Sequence, residues 1–373
     1  MTKVLIISEE GRGGGALKRI LLVSEKIKDR MNIGVVIPSS APELEQKFKS
    51  RGVPAYPIRL HPLTKNILGL TSYILWFIPE IISLVRLMKT QSPDLIHING
   101  SWQFKGLISG VICGIPVIWH LNDTYQPSII RGVFKNLARR ASAVIYASKQ
   151  TEKYYRSVAK VLQHIKSIII PAPVKISDKP VHRRHNGAVA RSITVGYINK
   201  NKGLPELLVA AERLINDPIE FHIAGPVLKT QRGYKHQLDQ MITQKGLTNV
   251  KFLGYVNTDS DFLNDYDLYV CSSSNESSPM AVWEAMAAGL PVISTPVGDL
   301  PELFKNANAG IVTRTYSGED LAKAIKKMIS ASPSERREYG KNAYKLVSTY
   351  CSLDNVAKQY IRFYTQLASG PSD

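Results

Sequence analysis

Cysteine is scarce in this sequence: three cysteines, at positions 113, 271 and 351, occur in 373 residues. Their spacing matches neither a metal-binding pattern nor a disulfide framework. The sequence therefore excludes a cysteine-rich metal centre and a disulfide-stapled secreted scaffold. A reducing cytoplasm is the simplest expected location.

Long uninterrupted hydrophobic runs are also lacking. The run from Val4 to Ile7 is too short for the core of a signal peptide and predicts a strand instead. The most apolar stretch, Ile67 to Met88, has Pro79 and Glu80 near its middle, whereas a membrane span needs about 20 apolar residues with few charges. Three interpretations of this stretch stay open: a buried crossover helix, an interfacial membrane helix and a span.

Acidic residues are few in the first half of the chain. Residues 1–175 hold 25 Lys and Arg against 10 Asp and Glu, a balance of +15, whereas residues 176–373 hold 23 against 20, a balance of +3. No nucleic-acid-binding module is recognisable, so nucleic acid is not expected as a partner. The basic excess favours an anionic membrane surface or an acceptor that carries a lipid diphosphate. A basic surface that only aids solubility is the alternative.

Short apolar strands alternate with helical segments along most of the chain. This alternation predicts an α/β fold with parallel, doubly wound sheets. Because 373 residues exceed one typical domain, we expect an N-terminal domain over residues 1–175 and a C-terminal domain over residues 192–350. Residues 176–191, rich in proline and basic side chains, are expected to link them, and residues 351–373 to form a separate last segment.

A glycine-rich turn follows the first predicted strand. Four glycines occur between Gly11 and Gly15, and a helical pattern follows them, which is typical of a phosphate-binding unit. A nicotinamide cofactor is not expected, because the second predicted strand runs into Pro38 where a dinucleotide-binding domain carries an acid. A tight turn that only lets the helix pack on the sheet is the alternative.

The stretch CSSSNESSPMAVWEAMAAGLPVIST, residues 271–295, reads as strand, loop, helix and strand. The helix is predicted to begin at about Pro279. Its first-turn amides, over Pro279, Met280 and Ala281, favour binding of an anion such as a diphosphate.

Two carboxylates flank this predicted helix start. Glu276 lies in the loop before it, and Glu284 falls in the second helical turn, where it can accept hydrogen bonds from a diol such as a ribose. From spacing alone, a solvated loop acid and a surface helix residue are equally good interpretations.

The two glutamates, with seven residues between them, are followed by AMAAGLPVISTPVGDLPEL. This sequence closely resembles the nucleotide-sugar signature of retaining GT-B glycosyltransferases of family four. The resemblance implies two facing Rossmann-like domains, the second holding a nucleotide sugar, and a last helix that crosses back onto the first. UDP is the commonest donor nucleotide in this family. The resemblance also implies that the protein needs no cofactor and no metal ion.

The same resemblance implies further donor-binding residues. Lys202, in VGYINKNKG, matches the lysine that neutralises the donor diphosphate. Tyr255, in FLGYV, lies in the segment that meets the nucleotide base. Gly14 and Gly15 belong to the glycine loop that approaches the donor and acceptor. Gly225 follows a predicted strand, which suits either close backbone approach to the donor or a simple turn.

His120, in WHLND, ends a predicted strand. A histidine there is more often structural, but family members place one facing the donor sugar, so the resemblance implies His120, Glu276 and Lys202 as catalytic residues. One departure weakens the match: Tyr197 stands where the family often has an arginine, so Lys202 and the helix start must carry more of the phosphate recognition.

Two Asp-x-Asp triplets, Asp259 with Asp261 and Asp265 with Asp267, have spacing that metal-dependent transferases use. The first lies at a predicted helix start, where aspartate is a common cap, and the second leads into a strand. Local structural roles are therefore favoured, and no metal site is expected.

Together these features predict a cytoplasmic, metal-independent, retaining glycosyltransferase that acts on a glycan or lipid-linked acceptor in cell-envelope polysaccharide synthesis. Its expected place within the cytoplasm is peripheral, at the inner face of the plasma membrane. The rival hypothesis is a non-catalytic sugar-nucleotide-binding subunit of a membrane-associated complex.

Overall fold

The structure, a computed structural model, describes residues 1–11, 13–64, 67–177, 187–257 and 260–369. The chain divides into two compact units. The first runs from Met1 to Pro173 and includes the chain from Leu353 onward, and the second runs from Val174 to Ser352.

In the described residues of the first unit, seven parallel strands form one sheet in the order β3-β2-β1-β4-β5-β6-β7. The strands are β1 (Lys3–Ile7), β2 (Asn32–Pro38), β3 (Ala55–Ile58), β4 (Leu95–Asn99), β5 (Val117–Leu121), β6 (Ala143–Tyr146) and β7 (Lys166–Ile169). The helices between them are α1 (Gly15–Ile27), α2 (Pro42–Lys49), α3 (Ile67–Gln91), α4 (Phe104–Ile112), α5 (Ser128–Ala138) and α6 (Lys149–Val158).

In the described residues of the second unit, six parallel strands form a sheet in the order β10-β9-β8-β11-β12-β13. The strands are β8 (Ala190–Val195), β9 (Ile219–Ala224), β10 (Val250–Gly254), β11 (Leu268–Cys271), β12 (Val292–Ser294) and β13 (Gly310–Val312). The helices are α7 (Leu204–Arg213), α8 (Arg232–Gln244), α9 (Ser260–Leu263), α10 (Met280–Ala287), α11 (Leu300–Ala307), α12 (Gly318–Ser330) and α13 (Pro333–Tyr350).

Both sheets are doubly wound, as the alternation of strands and helices predicts. Helices cover both faces of such a sheet, so its inner strands read as continuous apolar runs. In each sheet the strand order reverses once, between β1 and β4 in the first unit and between β8 and β11 in the second. Ligands of open α/β sheets bind beyond the carboxyl ends of the strands at such a reversal. The fold therefore directs attention to the loops that follow these four strands.

The last helix, α14 (Leu353–Ala368), belongs to the first unit, where it packs against α1 and β4. Tyr360 and Tyr364 of α14 are buried, and the Tyr364 hydroxyl lies 2.6 Å from Nδ1 of His97. The chain thus leaves the first unit, forms the second and returns, as the family resemblance implies.

Helix α3 is a crossover helix between β3 and β4, but it is not a buried one. It contains Pro79 and is long and apolar enough to cross a membrane, with a mean hydropathy of 1.7 over an 18-residue window, of which 22% is buried. Leu84 and Met88 join the core of the first unit, while other apolar side chains of α3 are exposed. The interpretation of Ile67 to Met88 as a buried crossover helix is therefore right about the crossover and wrong about the burial.

Two further differences from the sequence pattern have a common cause: polar residues at the start of a strand interrupt its apolar pattern. Strand β7 escapes the pattern because Lys166 and Ser167 interrupt its apolar character at the sheet edge. Strand β8 begins at Ala190, inside the stretch 176–191 predicted as a linker. The prediction missed this start because Arg191 and Ser192 are polar. Residues 178–186 of that stretch lie outside the described residues.

Candidate active site

Lys202 is held by a short turn that follows β8. Asn199 caps a single 3₁₀ turn over Lys200–Lys202 by accepting a hydrogen bond from the Asn201 amide at 3.0 Å. Gly203 comes next with φ +56°, and a Cβ there would collide with the carbonyl oxygen of Ser272. The Ser272 hydroxyl in turn donates to the Lys202 carbonyl at 2.7 Å. The loops after β8 and β11 are therefore tied together, and only glycine permits their approach.

Helix α10 begins beside this turn. The helix begins at Met280, one residue later than the sequence predicts, and its N-cap residue, Pro279, makes no side-chain capping hydrogen bond. The first intrahelical bonds run from the amides of Val282 and Trp283 to the Pro279 carbonyl. The amides of Met280 and Ala281 precede these bonds and are therefore available to an anion at the positive end of the helix dipole.

Lys202 and Glu276 form an ion pair between the two loops. Lys202 Nζ donates to Glu276 Oε1 at 2.8 Å, and the Ser273 hydroxyl donates to the same oxygen at 3.2 Å. The two charged side chains are 21% and 22% exposed. Burial by itself lowers the pKa of Lys202, but Glu276 outweighs it, so the pKa lies above its ordinary value. The lysine therefore stays charged and within reach of solvent.

Glu284 lies in the second turn of α10 and is half-buried. Its carboxylate and that of Glu276 both act on the hydroxyl of Tyr269 in β11. Burial raises the pKa of Tyr269 well above its ordinary value, and Cys271, Glu276 and Glu284 add to this rise. Both acids therefore place negative charge near β11.

The other donor-side candidates surround the ends of β9 and β10. Gly225 has φ +153°, and a Cβ there would collide with the carbonyl of Gly196, so glycine is required for contact between two strand-end loops. Its amide donates to the Gly254 carbonyl at 2.7 Å. Tyr255 is 79% exposed, and Tyr197 is half-buried.

Gly14 and Gly15 lie where α1 begins in the first unit. Gly14 is the N-cap with φ −74°, and Gly15 is the first helical residue. A Cβ at Gly13 or Gly14 would meet nothing within 4 Å. Packing therefore does not require glycine at these two positions, which favours the interpretation that a ligand approaches this loop.

His120 lies in β5, and its side chain is fully buried. Its Nδ1 lies 3.2 Å from His97 Nε2 and 3.3 Å from the Tyr360 hydroxyl. Burial lowers the pKa of His120 well below its ordinary value, and Arg19 and His97 lower it further. The structure therefore places a neutral imidazole inside the first unit, packed against the last helix.

The structure thus pairs Lys202 with Glu276 at the carboxyl ends of β8 and β11, and the chain after Glu276 leads into α10, which carries Glu284 in its second turn. Gly225 and Tyr255 belong to neighbouring loops of the same unit, whereas His120, Gly14 and Gly15 belong to the first unit. Sequence reasoning missed Ser273 and Tyr269. The serine cluster after β11 was a usable signal for Ser273, but a tyrosine inside an apolar strand reads only as core.

The Asp-x-Asp triplets have mainly structural surroundings. A carboxylate oxygen of Asp267 accepts the Arg191 amide at 2.8 Å, and Asp261 lies in the first turn of α9. Asp259 lies outside the described residues. Among the described residues, no group of three or more His, Cys, Asp or Glu side chains could hold a metal ion.

Two family models match this chain in succession. The model for Glycosyltransferase Family 4 matches residues 13–177, and the model for glycosyl transferases group 1 matches residues 178–346. The second match contains Lys202, Glu276, Glu284 and α10.

Curated relatives cover most of the chain. The putative teichuronic acid biosynthesis glycosyltransferase TuaC of Bacillus subtilis is 27% identical over 340 residues, 81% of this chain and 82% of that protein. An uncharacterized glycosyltransferase of Methanocaldococcus jannaschii is 26% identical over 299 residues, 73% of this chain and 75% of that protein.

Solved structures show the same fold. The crystal structure of Anabaena HepE in complex with UDP-glucose has a TM-score of 0.83 and 20% sequence identity, and the match covers 98% of this chain and 100% of that one. Both sheets, their winding and the returning helix α14 agree with this architecture. The chain belongs to glycosyltransferase family 4 and is a glycosyltransferase with the GT-B fold.

Proposed function

We propose that the protein transfers a sugar, with retention of configuration and without a metal ion, from a UDP-sugar to a glycan or lipid-linked acceptor. The observation that carries this proposal is the arrangement at the β8–β11 reversal. The ion pair of Lys202 and Glu276 joins the loops that follow these strands, and the loop of Glu276 leads into the start of α10, which carries Glu284 in its second turn. An anion with hydroxyl-bearing groups on either side fits this combination.

In this proposal each group binds a different part of the donor. Lys202 and the Met280 and Ala281 amides bind the diphosphate, Glu284 accepts hydrogen bonds from the ribose, and Glu276 accepts them from the sugar. The positive groups stabilise the charge that develops on the departing nucleotide as the glycosidic bond breaks. They neutralise the diphosphate charge that a metal ion neutralises in metal-dependent transferases. The acceptor then attacks from the side on which the nucleotide leaves, which retains the configuration.

Glu276 must change partners for this to happen. Without donor, its Oε1 accepts hydrogen bonds from Lys202 and Ser273. A diphosphate at Lys202 competes with the carboxylate for the ammonium and frees Glu276 to accept hydroxyl groups. Both side chains are partly exposed, so a ligand can reach the ion pair, and the exchange avoids the desolvation cost of a fully buried pair.

The first unit contributes the acceptor side. Gly13 and Gly14 leave open space beside α1, which suits the approach of a ligand. His120 has no part in this proposal as a direct sugar contact, because its side chain is fully buried. It acts instead by packing against His97 and Tyr360 of α14.

The names of related proteins support the donor and acceptor classes. HepE of Anabaena is described in complex with UDP and with UDP-glucose, and TuaC is described as an enzyme of teichuronic acid biosynthesis. A poly(ribitol-phosphate) α-N-acetylglucosaminyltransferase of Staphylococcus aureus is 24% identical over 196 residues. We infer a role in cell-envelope polysaccharide synthesis, in the cytoplasm at the inner face of the plasma membrane.

The test has a binding arm and a turnover arm. A thermal-shift panel of nucleotide sugars should identify the donor, because a ligand at 100 times its Kd adds about 2.7 kcal/mol of stability. Nucleotide release from that donor should then be lost in Glu276→Ala and kept in Glu338→Ala, a control on the exposed side of α13. Binding without turnover across all acceptors would favour the rival hypothesis of a non-catalytic subunit, which the Tyr197 departure suggests. No binding to any nucleotide sugar would overturn both.

A further inference from the structure

Helix α3 is buried along one narrow face and exposed over most of its remaining surface. The buried face carries Tyr73, Glu80, Ile81, Leu84 and Met88, whose spacing places them on one side of the helix. Other large apolar side chains of the helix are exposed, with exposures between 37% and 83%: Ile67, Leu68, Leu70, Ile74, Leu75, Trp76, Ile78 and Ile82. We call these eight residues the apolar face of α3.

The apolar face is unusual for a protein surface. Eight of the nineteen large apolar side chains exposed among the described residues lie on this one helix. Single exposed apolar residues need no explanation, but eight of them on one helix are typical of a site of protein or membrane interaction.

Basic groups adjoin the apolar face. The Arg59 guanidinium lies 4.2 Å from the centre of the Trp76 ring, and Arg86 and Lys89 are exposed where α3 continues toward its end. Helix α5 packs on the same core and exposes Arg131, Lys135 and Arg139. With a balance of +15 over residues 1–175, this side suits an anionic partner. A second copy of the chain would bring like charges together.

The buried face of α3 prevents the helix from leaving the protein to span a bilayer. The Glu80 carboxylate, 2% exposed, pairs with the fully buried Lys105 and accepts the His61 amide at 3.1 Å. Moving the helix into hydrocarbon would break these contacts and place Glu80 in the bilayer, which is costly. An interfacial position keeps the inner contacts and covers only the outer side chains.

We propose that the apolar face of α3 docks the protein on an anionic phospholipid surface, with α3 lying in the plane of the interface. Arg59, Arg86 and Lys89 then meet the lipid phosphates. The inference deepens the proposed function, on which it rests for the lipid-linked acceptor, because it names the surface through which the enzyme reaches that acceptor.

Vesicle flotation tests this proposal. The full-length protein should float with vesicles of phosphatidylcholine and phosphatidylglycerol, and not with phosphatidylcholine alone. The variant Ile74→Ser, Leu75→Ser, Ile78→Ser should bind at least about tenfold more weakly, because all three side chains leave water on docking. The control Val189→Ser, Ile215→Ser removes exposed apolar side chains from the second unit and should bind like the wild type.

A charge variant and a depth measurement separate the mechanisms. Arg86→Gln with Lys89→Gln should weaken binding by about fivefold per charge, and added salt should remove this difference. Trp76 fluorescence should be quenched by lipids brominated near the headgroup more than by lipids brominated at the chain end, and Trp76→Phe should abolish that quenching. Stronger quenching at the chain end would favour a span and overturn the interfacial position.

Other outcomes also overturn the proposal. Wild-type protein that floats with neither lipid mixture, or a triple serine variant that floats like the wild type, would do so. A dimer in solution that the triple variant dissociates would assign the apolar face to a second copy. Nucleotide-sugar binding, measured by thermal shift on the same proteins, should be equal in the wild type and the triple variant. If the wild type binds no nucleotide sugar, the proposed function is wrong, whereas the flotation result still stands.

Discussion

Each unit of the molecule holds a lysine paired with glutamate at the carboxyl end of its sheet, but the two pairs differ in exposure. In the first unit, Lys105 is 0% exposed and lies 3.2 Å from Glu9, which is 1% exposed, and pairs also with Glu80. In the second unit, Lys202 and Glu276 are 21% and 22% exposed. The first cluster joins α3, α4 and the end of β1, whereas the second joins two loops at the strand reversal.

This difference separates an ion pair that holds the fold from one that can serve a ligand. A fully buried pair cannot exchange partners without a large desolvation cost, and losing one member leaves an uncompensated charge. A partly exposed pair exchanges partners easily and contributes little stability. Charge type and position relative to the strands are similar in the two clusters, so burial is the property that distinguishes their roles.

Removing the buried lysine should have the largest effect on stability. Lys105→Met leaves Glu9 and Glu80 buried without their cation and should lower the free energy of unfolding by about 3–5 kcal/mol. Urea unfolding at neutral pH measures this loss. Lys153→Met, an exposed position on α6, is the matched control and should change stability by less than about 0.5 kcal/mol. Equal stability of the two variants would contradict the comparison.

Removing the partly exposed Lys202 should affect catalysis instead. Lys202→Met should lower turnover about 100- to 1,000-fold, because a preorganised positive group at the leaving diphosphate is lost. Its unfolding free energy should fall by no more than about 1 kcal/mol. Lys200→Met changes an exposed lysine two residues away and should keep wild-type turnover. A stability loss as large as that of Lys105→Met would show that Lys202 serves the fold.

The pH dependence of stability should reveal Glu9. Burial raises its pKa from 4.5 to about 7, although Lys105 opposes this rise. Between these values the folded state keeps a proton that the unfolded chain has released, so the contribution of Glu9 is full below pH 4.5 and is lost as pH rises through 7.

Replacing Glu9 should remove this pH-dependent contribution. From pH 4.5 to 7, the stability of Glu9→Gln relative to the wild type should therefore rise by about 3 kcal/mol. Urea unfolding at a series of pH values measures the change. A constant difference between the two proteins would mean that Glu9 is ionised throughout.

The smallest effect should come from Ser273→Ala. Its hydroxyl donates to Glu276 Oε1 at 3.2 Å, and one neutral-to-charged hydrogen bond of this length contributes about 1–2 kcal/mol. We expect turnover to fall about five- to tenfold while stability stays unchanged. Ser274→Ala, the exposed neighbour, is the control. Steady-state kinetics that show a change in KM alone would assign Ser273 to ground-state binding of the donor.

Much of the fold could be predicted from sequence, because buried parallel strands carry an unmistakable apolar signal. The two doubly wound sheets follow from that signal, and the family follows from the sequence around Glu276 and Glu284. Both predictions are confirmed. Strand β7 escaped prediction because an edge strand needs less apolar sequence.

The site could be predicted only in part. Local motifs indicate Lys202 and the two glutamates, because each precedes or follows a recognisable strand. The contact of Ser272 with the loop after β8 joins residues 70 positions apart in sequence, and no local pattern encodes such a contact. His120 shows the opposite limit: its position at the end of a strand suggested access to substrate, but packing by α14, more than 200 residues later, buries it.

By itself, the sequence determined the order of strands and helices, the family and the chemical types of the donor-side residues, since these depend on local periodicity and short motifs. Only the tertiary structure decided which lysine is buried and which is open, and which face of α3 meets water. Exposure depends on what distant segments cover, and a chain encodes that coverage through its whole fold.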